Sequence, residues 1–496
     1  MTVRDLLQRA GLETASSVRD STLLDRPVTG VGCNSRSLAA GELFVAIRGL
    51  RHDGTEFADE ARSRGAVAVV AEATRPSGFD LPWIRVPDAR AALAAVGAGI
   101  SGHPSRELVV IGTTGTNGKT TTTYLLEAML ESAGLRCGRI SSVSYRIGPD
   151  EQRATRTTPE AHELQSLLRR MVDRQCRACA LEVSSHALAL RRVDQVSFDA
   201  VVFTNLTRDH LDFHGDMASY FRAKRRLFEM ADETSPAVVN IDDPYGRTLA
   251  AEVRRPVTYG LDAAADVAPD RMDLSTDGID LDLRTTRGPL RLQSSLVGRS
   301  NTYNIVAAAA TGTALDLPPP AIEQGIASVT RVPGRMQVVS GSDDPVTVIV
   351  DFAHTDNALR GVLETARGFA RGRLVTVFGC GGDRDVKKRP LMGAVASRCS
   401  DLVIVTSDNP RSEDPHRIAE DIELGLVSGR TPWLTVLDRS EAIERSVREA
   451  RPGDVVVIAG KGHEQRQVFA TRSVPFDDAV VAREALAARR GRSRVG

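Results

Sequence analysis

Short apolar runs alternate with amphipathic, alanine-rich stretches through the first hundred residues. The runs ELFVAI (42–47), AVAVVAE (66–72) and WIRVPD (83–88) have the length and composition of β-strands, and the stretches between them have helical periodicity. HPSRE (103–107), with its proline and polar residues, is typical of a linker. The pattern predicts a small α/β domain over residues 1–105.

A second series of apolar runs follows the linker. LVVIG (108–112) leads into a glycine-rich loop and then a helical pattern from Thr120 to about Ser132. Strands that alternate with helices favour a mostly parallel sheet, and alternation over residues 273–297 predicts appended antiparallel hairpins. We assign this domain to residues 106–335. Its other predicted strands are CALEV (179–183), DAVVFTN (199–205) and AVVNID (237–242).

The remaining residues, 336–496, contain four apolar runs that each end in a polar loop. The loops are AHTDN, CGGDRD, DNPRSED and KGHEQ. In open α/β sheets, ligands bind beyond the carboxyl ends of the strands, so these loops predict a ligand site. We expect a three-domain α/β protein with a central parallel-sheet domain and a Rossmann-like C-terminal domain. The four runs are VTVIVDF (346–352), LVTVFG (374–379), LVIVTS (402–407) and VVVIAG (455–460).

Composition excludes several classes of protein. The chain has 496 residues, with 64 Lys+Arg against 64 Asp+Glu, which gives no basic footprint for nucleic acid. No apolar run is long enough to span a bilayer, and MTVRDLLQRAGLE (1–13) predicts an amphipathic helix and lacks a signal-peptide core. We therefore expect a cytoplasmic protein without membrane insertion. We also expect a monomer whose partners are small molecules.

Cysteine and lysine usage add detail. Six cysteines in a chain of this length do not indicate a disulfide scaffold. Cys176 and Cys179 form a lone CxxC without a second ligand pair, so we interpret them as reduced thiols near a buried strand. Only five of the 64 basic residues are lysine, and each marks a candidate site that requires a compact amine. The five are Lys119, Lys224, Lys387, Lys388 and Lys461.

The stretch GTTGTNGKTT (112–121) is typical of a phosphate-binding loop. A strand precedes it and a helix follows, so backbone N–H groups and the helix N-terminus favour an anion. Thr113 breaks the strict GxxxxGK[ST] pattern, but the context still predicts ATP binding. The Lys119 amine is expected to reach the β/γ-phosphates, and the Thr120 hydroxyl to bind Mg²⁺. The predicted ATP contacts are Gly115, Thr116, Asn117, Gly118, Lys119, Thr120 and Thr121.

A metal-binding acid is expected at a neighbouring strand end. Glu182 ends the run CALEV, and a carboxylate that finishes an apolar strand is costly unless it binds something. His210 follows the next strand. We predict that Glu182, His210 and Thr120 share magnesium; the alternative for His210 is an ordinary surface-loop histidine.

A set of motifs then occurs in the order found in one family. In that order they resemble the Mur ligases, and the resemblance covers all three domains. NSRSLAAGELFVAIRGLRHDG (34–54) resembles that family's UDP-binding segment. The motifs are GTNGKTTT (115–122), TTPE (157–160), LEVSSHAL (181–188), TNLTRDHLDFHGD (204–216), NIDDP (240–244), VPGRM (332–336), VDFAHT (350–355), GCGGDRDVKKRP (379–390), DNPR (408–411) and GKGHE (460–464).

The resemblance implies a ligase of peptidoglycan synthesis. The terminal carboxylate of UDP-N-acetylmuramoyl-L-alanyl-D-glutamate would take the γ-phosphoryl group of ATP, and an amino acid amine would displace phosphate from the acyl phosphate. It also implies two magnesium ions, with Glu182 and His210 as ligands and Lys224 carbamylated to bind the second ion. A carbamate requires a primary amine, which arginine lacks.

Further contacts are implied by the same resemblance. Asn301 and Asn304 resemble adenine-side contacts, and Arg335, Asp351 and His354 resemble the part of the nucleotide site that the third domain supplies. On the substrate side, the residues that resemble uridine or muramoyl-peptide contacts are Ser35, Thr157, Thr158, Ser184 and Arg192.

The motifs DNPR and GKGHE concern the incoming amino acid. In the family DNPR accompanies meso-diaminopimelate, which carries a distal carboxylate that lysine lacks. A guanidinium binds a carboxylate with two parallel hydrogen bonds, which suits Arg411. From the residues alone, Asp408–Arg411 is equally typical of a capped turn. The implied amino-acid contacts are Arg384, Asp408, Asn409, Pro410, Arg411, Gly460 and Glu464, with Glu464 as acceptor for the distal ammonium.

Several positions depart from the family pattern. Asn34 replaces Asp, Phe352 replaces tyrosine, Gln337 replaces Glu, and Asp356-Asn357 replaces Pro-Asp. The amides lose charge but keep hydrogen-bonding capacity. A diverged ligase that joins an amino acid to another carboxylate therefore stays open as an alternative, as does a non-catalytic ATP-binding module; Glu182, His210 and Lys224 argue against the module.

Overall fold

The protein was analysed as a computed structural model, which describes residues 1–12, 21–49, 52–275 and 277–493. Parts of three predicted segments lie outside these ranges. They are Glu13 of the N-terminal helix, Leu50 and Arg51 of the segment 34–54, and Thr276 of the hairpin region. Within the described ranges the fold is α/β, as predicted.

The helices alternate with strands along most of the chain. They are α1 Val3–Arg9, α2 Ala58–Ser63, α3 Ala89–Ser101, α4 Lys119–Ser132, α5 Ala161–Asp173, α6 Ser185–Ala189, α7 Leu211–His214, α8 Met217–Met230, α9 Pro244–Glu252, α10 Arg299–Ala314, α11 Pro319–Ser328, α12 Asp356–Phe369, α13 Lys388–Cys399, α14 Pro415–Leu426, α15 Arg439–Glu449 and α16 Asp478–Ser493.

The strands are mostly three to six residues long. They are β1 Gly30–Gly32, β2 Glu42–Ala46, β3 Ala68–Ala71, β4 Trp83–Arg85, β5 Val109–Thr114, β6 Cys137–Ile140, β7 Ser144–Ile147, β8 Asp150–Arg153, β9 Ala178–Glu182, β10 Ala200–Phe203, β11 Ala237–Asn240, β12 Pro256–Tyr259, β13 Ala268–Leu274, β14 Ile279–Arg284, β15 Leu290–Ser294, β16 Gln337–Val338, β17 Thr347–Asp351, β18 Leu374–Phe378, β19 Leu402–Val405, β20 Trp433–Thr435, β21 Val455–Ala459, β22 Arg466–Val468 and β23 Ser473–Pro475.

The described residues form two compact units. The first comprises Met1–Thr114, Gly134–Val201 and Ala223–Pro236, and the second comprises the other described residues. The division into domains at 1–105, 106–335 and 336–496 stays a prediction.

The first unit begins with a four-stranded parallel sheet in the order β1-β2-β3-β4. The predicted strands β2, β3 and β4 are confirmed, because their apolar residues fill the two faces of this sheet. Strand β1 was missed, since Gly30–Gly32 contains a single apolar side chain. Helix α3 begins where the Asp88 carboxylate accepts the N–H groups of Arg90 and Ala91.

The same unit contains the strands β5, β9, β6, β7 and β8 as consecutive neighbours. The first three are parallel, and β7 and β8 continue as antiparallel strands. The exposed, polar β8 was missed because it carries no apolar pattern. At the carboxyl end of β9, Glu182 lies opposite Thr113. Thr113 is therefore part of a regular strand, which explains why the loop pattern has no glycine there.

In the second unit, helix α4 begins at Lys119 and packs against α10 and α11. Helix α10 is buried on nearly all sides, as its run of alanine and small residues requires. The antiparallel hairpins predicted for 273–297 are confirmed as the three-stranded sheet β13-β14-β15.

The C-terminal sheet of the second unit has the order β16-β17-β21-β18-β19-β20. All neighbours are parallel except β16 and β17, and apolar side chains cover both faces. The four predicted strands are confirmed as β17, β18, β19 and β21. Their carboxyl ends therefore lie along one edge, which carries the four polar loops.

Candidate active site

The glycine-rich loop 115–118 lies at the start of α4. Gly115 and Gly118 have φ of 151° and 88°, in the region that favours glycine. A Cβ at Gly115 would lie 1.8 Å from Thr204 Oγ1, and one at Gly118 would lie 2.3 Å from Asn304 Oδ1. Both glycines are therefore required by their surroundings as well as by their backbone conformation.

Side chains of the segment 204–207 hold this loop. The Thr204 hydroxyl and the Asn205 amide donate to the Asn117 carbonyl at 2.6 and 3.1 Å, and Asn205 Oδ1 accepts from Asn117 N–H at 2.9 Å. Thr116 Oγ1 accepts from Thr207 N–H at 3.0 Å. Sequence reasoning quoted the motif TNLT but missed these residues as loop supports, because their role is visible only in their contacts.

Lys119 bends back onto the loop that precedes it. Its Nζ donates to the carbonyl oxygens of Gly115 at 3.0 Å and Thr116 at 2.9 Å. The Thr120 hydroxyl, the predicted magnesium ligand, accepts a hydrogen bond of 3.0 Å from Arg335 Nη2. The structure thus brings Thr120 and Arg335 together, as a site for phosphate groups requires.

Asp351 ends β17, and the segment that follows brings Phe352 against Arg335 and His354 against Phe352. The Arg335 guanidinium is 4.5 Å from the centroid of the Phe352 ring, within cation–π range. Asp351 accepts N–H groups of Met336 and Ala353, each at 2.7 Å, and burial raises the pKa of this carboxyl. Asp351 therefore organises the backbone on either side of the Arg335 guanidinium.

His210 contacts an acid that sequence reasoning missed. Asp209 Oδ2 lies 3.3 Å from His210 Nε2 and 3.5 Å from His354 Nε2. Burial alone would raise the pKa of Asp209, but the hydrogen bond to His354 and the charges of both histidines and Lys388 hold it well below its usual range. The adjacent Arg208 pairs with Asp385 at 2.8 Å, so this segment is linked to two of the polar loops.

Asn301 and Asn304 are buried at the start of α10. Asn301 Nδ2 donates to the Val297 carbonyl at 2.9 Å, and Asn304 Nδ2 donates to Asn301 Oδ1 at 3.2 Å. Asn304 Oδ1 lies 3.5 Å from the Thr122 hydroxyl on α4. These bonds fix α10 against the loop helix; the predicted adenine contacts of both asparagines stay predictions.

In the first unit, the Glu182 side chain is buried and accepts the Ser142 N–H at 2.9 Å. Lys224 on α8 is 1% exposed. The described residues contain no group of three or more His, Cys, Asp and Glu side chains that could hold a metal ion. The predicted ligands include a hydroxyl and a carbamate, which lie outside those residue types.

Three of the five predicted substrate residues, Thr158, Ser184 and Arg192, form one hydrogen-bonded cluster in the first unit. Thr158 Oγ1 donates to the Glu182 carbonyl at 2.9 Å and accepts the Ser184 N–H at 3.1 Å. Arg192 donates to the Thr158 carbonyl at 3.3 Å and pairs at 2.8 Å with Glu160, which sequence reasoning missed. Thr157 adjoins the cluster in the chain. Ser35 lies elsewhere in this unit, and its hydroxyl donates to Glu60 at 2.7 Å.

The predicted amino-acid residues lie in three loops of the C-terminal sheet. Arg411, at φ 53°, donates through Nη1 to the Gly382 carbonyl at 2.6 Å. Burial and the nearby Arg384 lower the pKa of Arg411. The two guanidinium groups are thus close enough to disfavour each other's charge, and the binding of a substrate carboxylate between them stays a prediction.

Close packing of the loops fixes this arrangement. A Cβ at Gly382 would lie 1.9 Å from the Pro410 carbonyl, and one at Gly460 would lie 2.7 Å from Asp408 Oδ2. Asn409 Nδ2 donates to Glu464 Oε2 at 2.7 Å, which joins DNPR to GKGHE. The structure therefore assembles basic and acidic groups that are suited to a zwitterion.

Known proteins resemble this chain over nearly its whole length. Models of the Mur ligase family match residues 27–99 (Mur ligase family, catalytic domain), 113–312 (Mur ligase middle domain) and 334–462 (Mur ligase, glutamate ligase domain). A UDP-N-acetylmuramoyl-L-alanyl-D-glutamate–2,6-diaminopimelate ligase of Geobacter metallireducens is 48% identical, over 91% of this chain and 92% of its own.

Solved structures give the same likeness. The structure of a ligase with that same name has a TM-score of 0.67 at 32% identity and covers 99% of both chains. A MurF ligase from Thermotoga maritima in complex with ADP has a TM-score of 0.64, with 95% of this chain and 98% of that chain covered; at 20% identity it shows the fold alone. None of the helices in the described ranges has the length and apolar character of a membrane span.

The support of the glycine loop by Thr204 can be tested with Thr204→Val. We expect the KM for ATP to rise by about tenfold, because one buried hydrogen bond of about 1.4 kcal/mol is lost. Steady-state kinetics would measure this rise. Thr376→Val is the matched control, since Thr376 is fully buried and its hydroxyl lies 2.7 Å from the Ser400 hydroxyl in the C-terminal sheet. An equal rise in both variants would contradict a specific role of Thr204.

Proposed function

The chain belongs to the Mur ligase family, and on that premise we propose that it joins meso-diaminopimelate to UDP-N-acetylmuramoyl-L-alanyl-D-glutamate at the expense of ATP. The observation that carries the choice of amino acid is the cluster of Arg384, Arg411 and Glu464. Meso-diaminopimelate has a carboxylate at each end, and two guanidinium groups beside an acid complement one such end. L-Lysine lacks the distal carboxylate and would leave the two arginines without that partner.

The reaction has two balanced steps. The terminal carboxylate of the muramoyl dipeptide attacks the γ-phosphorus of ATP, and ADP leaves with the bridging oxygen. The amine of the amino acid then attacks the acyl carbon, loses a proton and expels inorganic phosphate, which forms the amide. Phosphorylation is needed because a carboxylate is a poor electrophile, and the task of the protein is positioning and charge neutralisation.

The residues of the second unit fit these requirements. The Lys119 amine, which bonds to two loop carbonyls, would exchange them for phosphoryl oxygens of ATP. The Arg335 guanidinium, which bonds to Thr120, supplies a second positive group beside the loop. Loop N–H groups and the start of α4 favour the remaining charge. A non-catalytic nucleotide module would use the same phosphate contacts; the residues that argue against such a module are Glu182, His210 and Lys224.

Magnesium, when bound, neutralises phosphoryl oxygens. The proposed ligands keep their predicted roles: the Thr120 hydroxyl, the Glu182 carboxylate and the His210 imidazole. The hydroxyl and the carboxylate are oxygen donors of the kind that suits this hard cation, and the imidazole would add a nitrogen donor. Lys224 is proposed to carry a carbamate for a second ion, and its burial would shield the carbamate from protonation by bulk water.

The substrate assignment is tested by phosphate release. We expect release from ATP only when both UDP-N-acetylmuramoyl-L-alanyl-D-glutamate and meso-diaminopimelate are present. The control replaces meso-diaminopimelate with L-lysine, which has the same two amines and no distal carboxylate. Full activity with L-lysine would refute the proposal that Arg411 binds the distal carboxylate. Activity with another carboxylate in place of the muramoyl dipeptide would favour the diverged ligase.

The role of Arg411 is tested with Arg411→Lys. Lysine keeps the charge but lacks the planar fork, so we expect the KM for meso-diaminopimelate to rise about tenfold or more while the KM for ATP stays unchanged. Arg371→Lys, at an exposed position in the same domain, is the matched control. An unchanged KM for the amino acid would remove Arg411 from the site.

The carbamate is tested with Lys224→Arg. Because arginine forms no carbamate, we expect turnover to fall to a trace and bicarbonate to leave it unrestored. Arg222→Lys, on the same helix and exposed, makes the reverse exchange and should be neutral. Intact-mass spectrometry under bicarbonate should detect one added CO₂ on the wild type and none on Lys224→Arg. Full turnover of Lys224→Arg would exclude the carbamate.

A further inference from the structure

Lys461 is one of the five lysines of the chain, and the proposed reaction assigns it no role. It follows β21 in the segment GKGHE and is completely buried. An ammonium in such a place is costly unless its protons are all bonded. Its surroundings therefore indicate why the chain keeps a lysine here.

The ammonium group has one acceptor for each of its three protons. Nζ donates to Asn409 Oδ1 at 2.9 Å, to Glu464 Oε2 at 3.0 Å and to the Arg466 carbonyl at 2.7 Å. A guanidinium has five donors in a rigid plane and would leave some of them unbonded. The site accordingly selects lysine in a chain where 59 of 64 basic residues are arginine.

Lys461 also fixes the orientation of Asn409. Asn409 Oδ1 accepts from Lys461 and from the Val468 N–H at 3.0 Å, so its Nδ2 must be on the opposite side. There Nδ2 donates to Glu464 Oε2 at 2.7 Å. With the ammonium removed, the amide would lose one of the two donors that determine which way it faces.

Glu464 receives both of these bonds on a single oxygen. Among the hydrogen bonds of the described residues, Oε2 accepts from Lys461 and Asn409 and Oε1 accepts none. The Glu464 side chain is 34% exposed, whereas Lys461 is 0% exposed. The carboxylate is thus held by one oxygen, and its other oxygen keeps its acceptor capacity on a partly exposed side chain.

We propose that Lys461 is a positioning residue for the amino acid substrate: it holds Glu464 and Asn409 so that Glu464 Oε1 accepts the ammonium group of the incoming amino acid. The inference rests on the proposed function of this loop cluster. Lys461 acts through its neighbours, because it is fully buried and all three of its protons are used.

The test is a double-mutant cycle of Lys461→Met, Glu464→Gln and the double variant, each as the full chain. We expect Lys461→Met to raise the KM for meso-diaminopimelate about tenfold or more, because a charged hydrogen-bond network is lost. The KM values for ATP and for UDP-N-acetylmuramoyl-L-alanyl-D-glutamate should stay within about twofold. The double variant should bind the amino acid no worse than Glu464→Gln, since Lys461 acts through Glu464.

A matched control separates positioning from general stability. Arg373→Met breaks the pair of Arg373 with the buried Asp454 at 2.8 Å, at the opposite end of β21. It should lower the melting temperature and leave the KM for the amino acid unchanged. The proposal would be overturned if Lys461→Met, like this control, lowered the melting temperature and left the KM for the amino acid unchanged. It would also be overturned if the effects of Lys461→Met and Glu464→Gln on that KM were additive in the double variant.

Two further outcomes are also decisive. If Lys461→Met does not fold, the double variant is compared with Glu464→Gln instead, because the double variant leaves no unpaired carboxylate. A KM for meso-diaminopimelate that is tenfold higher in the double variant than in Glu464→Gln would overturn the proposal. If the wild type uses an amino acid other than meso-diaminopimelate, the proposed function fails by itself. The same cycle measured with that amino acid still tests Lys461.

Discussion

The pairing of the loop 115–118 with the segment 204–207 is the constraint on which the rest of the second unit depends. Side chains of Thr204 and Asn205 bond to the Asn117 carbonyl, and the Lys119 amine bonds to two further loop carbonyls. The carbonyl oxygens of the loop are thus occupied by protein donors. The loop can then direct its backbone N–H groups toward the side where an anion would bind. A side chain at Gly115 would collide with Thr204, so the glycine and the threonine belong to one arrangement.

The residues that directly follow this segment contact the loops of the C-terminal sheet. Arg208 pairs with Asp385, and Asp209 lies between His210 and His354. The contacts Arg208–Asp385 and Asp209–His354 each join the residues after the segment 204–207 to a loop at a carboxyl strand end. Because these are charged contacts of buried or half-buried groups, their geometry is specific, and a shift of the segment would separate several at once.

Much of the fold follows from the sequence because long apolar runs must be buried strands. The four long strands of the C-terminal sheet, β17, β18, β19 and β21, and strand β5 were predicted in this way. Strands β1 and β8 lack such a run and depend on their neighbours for pairing, so no local pattern reveals them. Of the site, the glycine loop and Arg335 were predictable from motifs. Asp209 and Glu160 were not, since their importance comes from partners distant in the chain.

Three of the four departures from the family pattern, Asn34, Gln337 and Phe352, are absorbed by local contacts. Asn34 Oδ1 accepts the Arg36 N–H, and Gln337 Oε1 accepts the Gly334 N–H, so each amide oxygen does what a carboxylate oxygen would do there. Phe352 keeps the aromatic face beneath Arg335 without a hydroxyl. Because the two amides keep an acceptor oxygen and Phe352 keeps an aromatic ring, the local backbone around each of these positions keeps its contacts. These substitutions therefore give no reason to assign a different carboxylate substrate, and the strongest constraint on substrate identity is the cluster around Arg411 and Glu464.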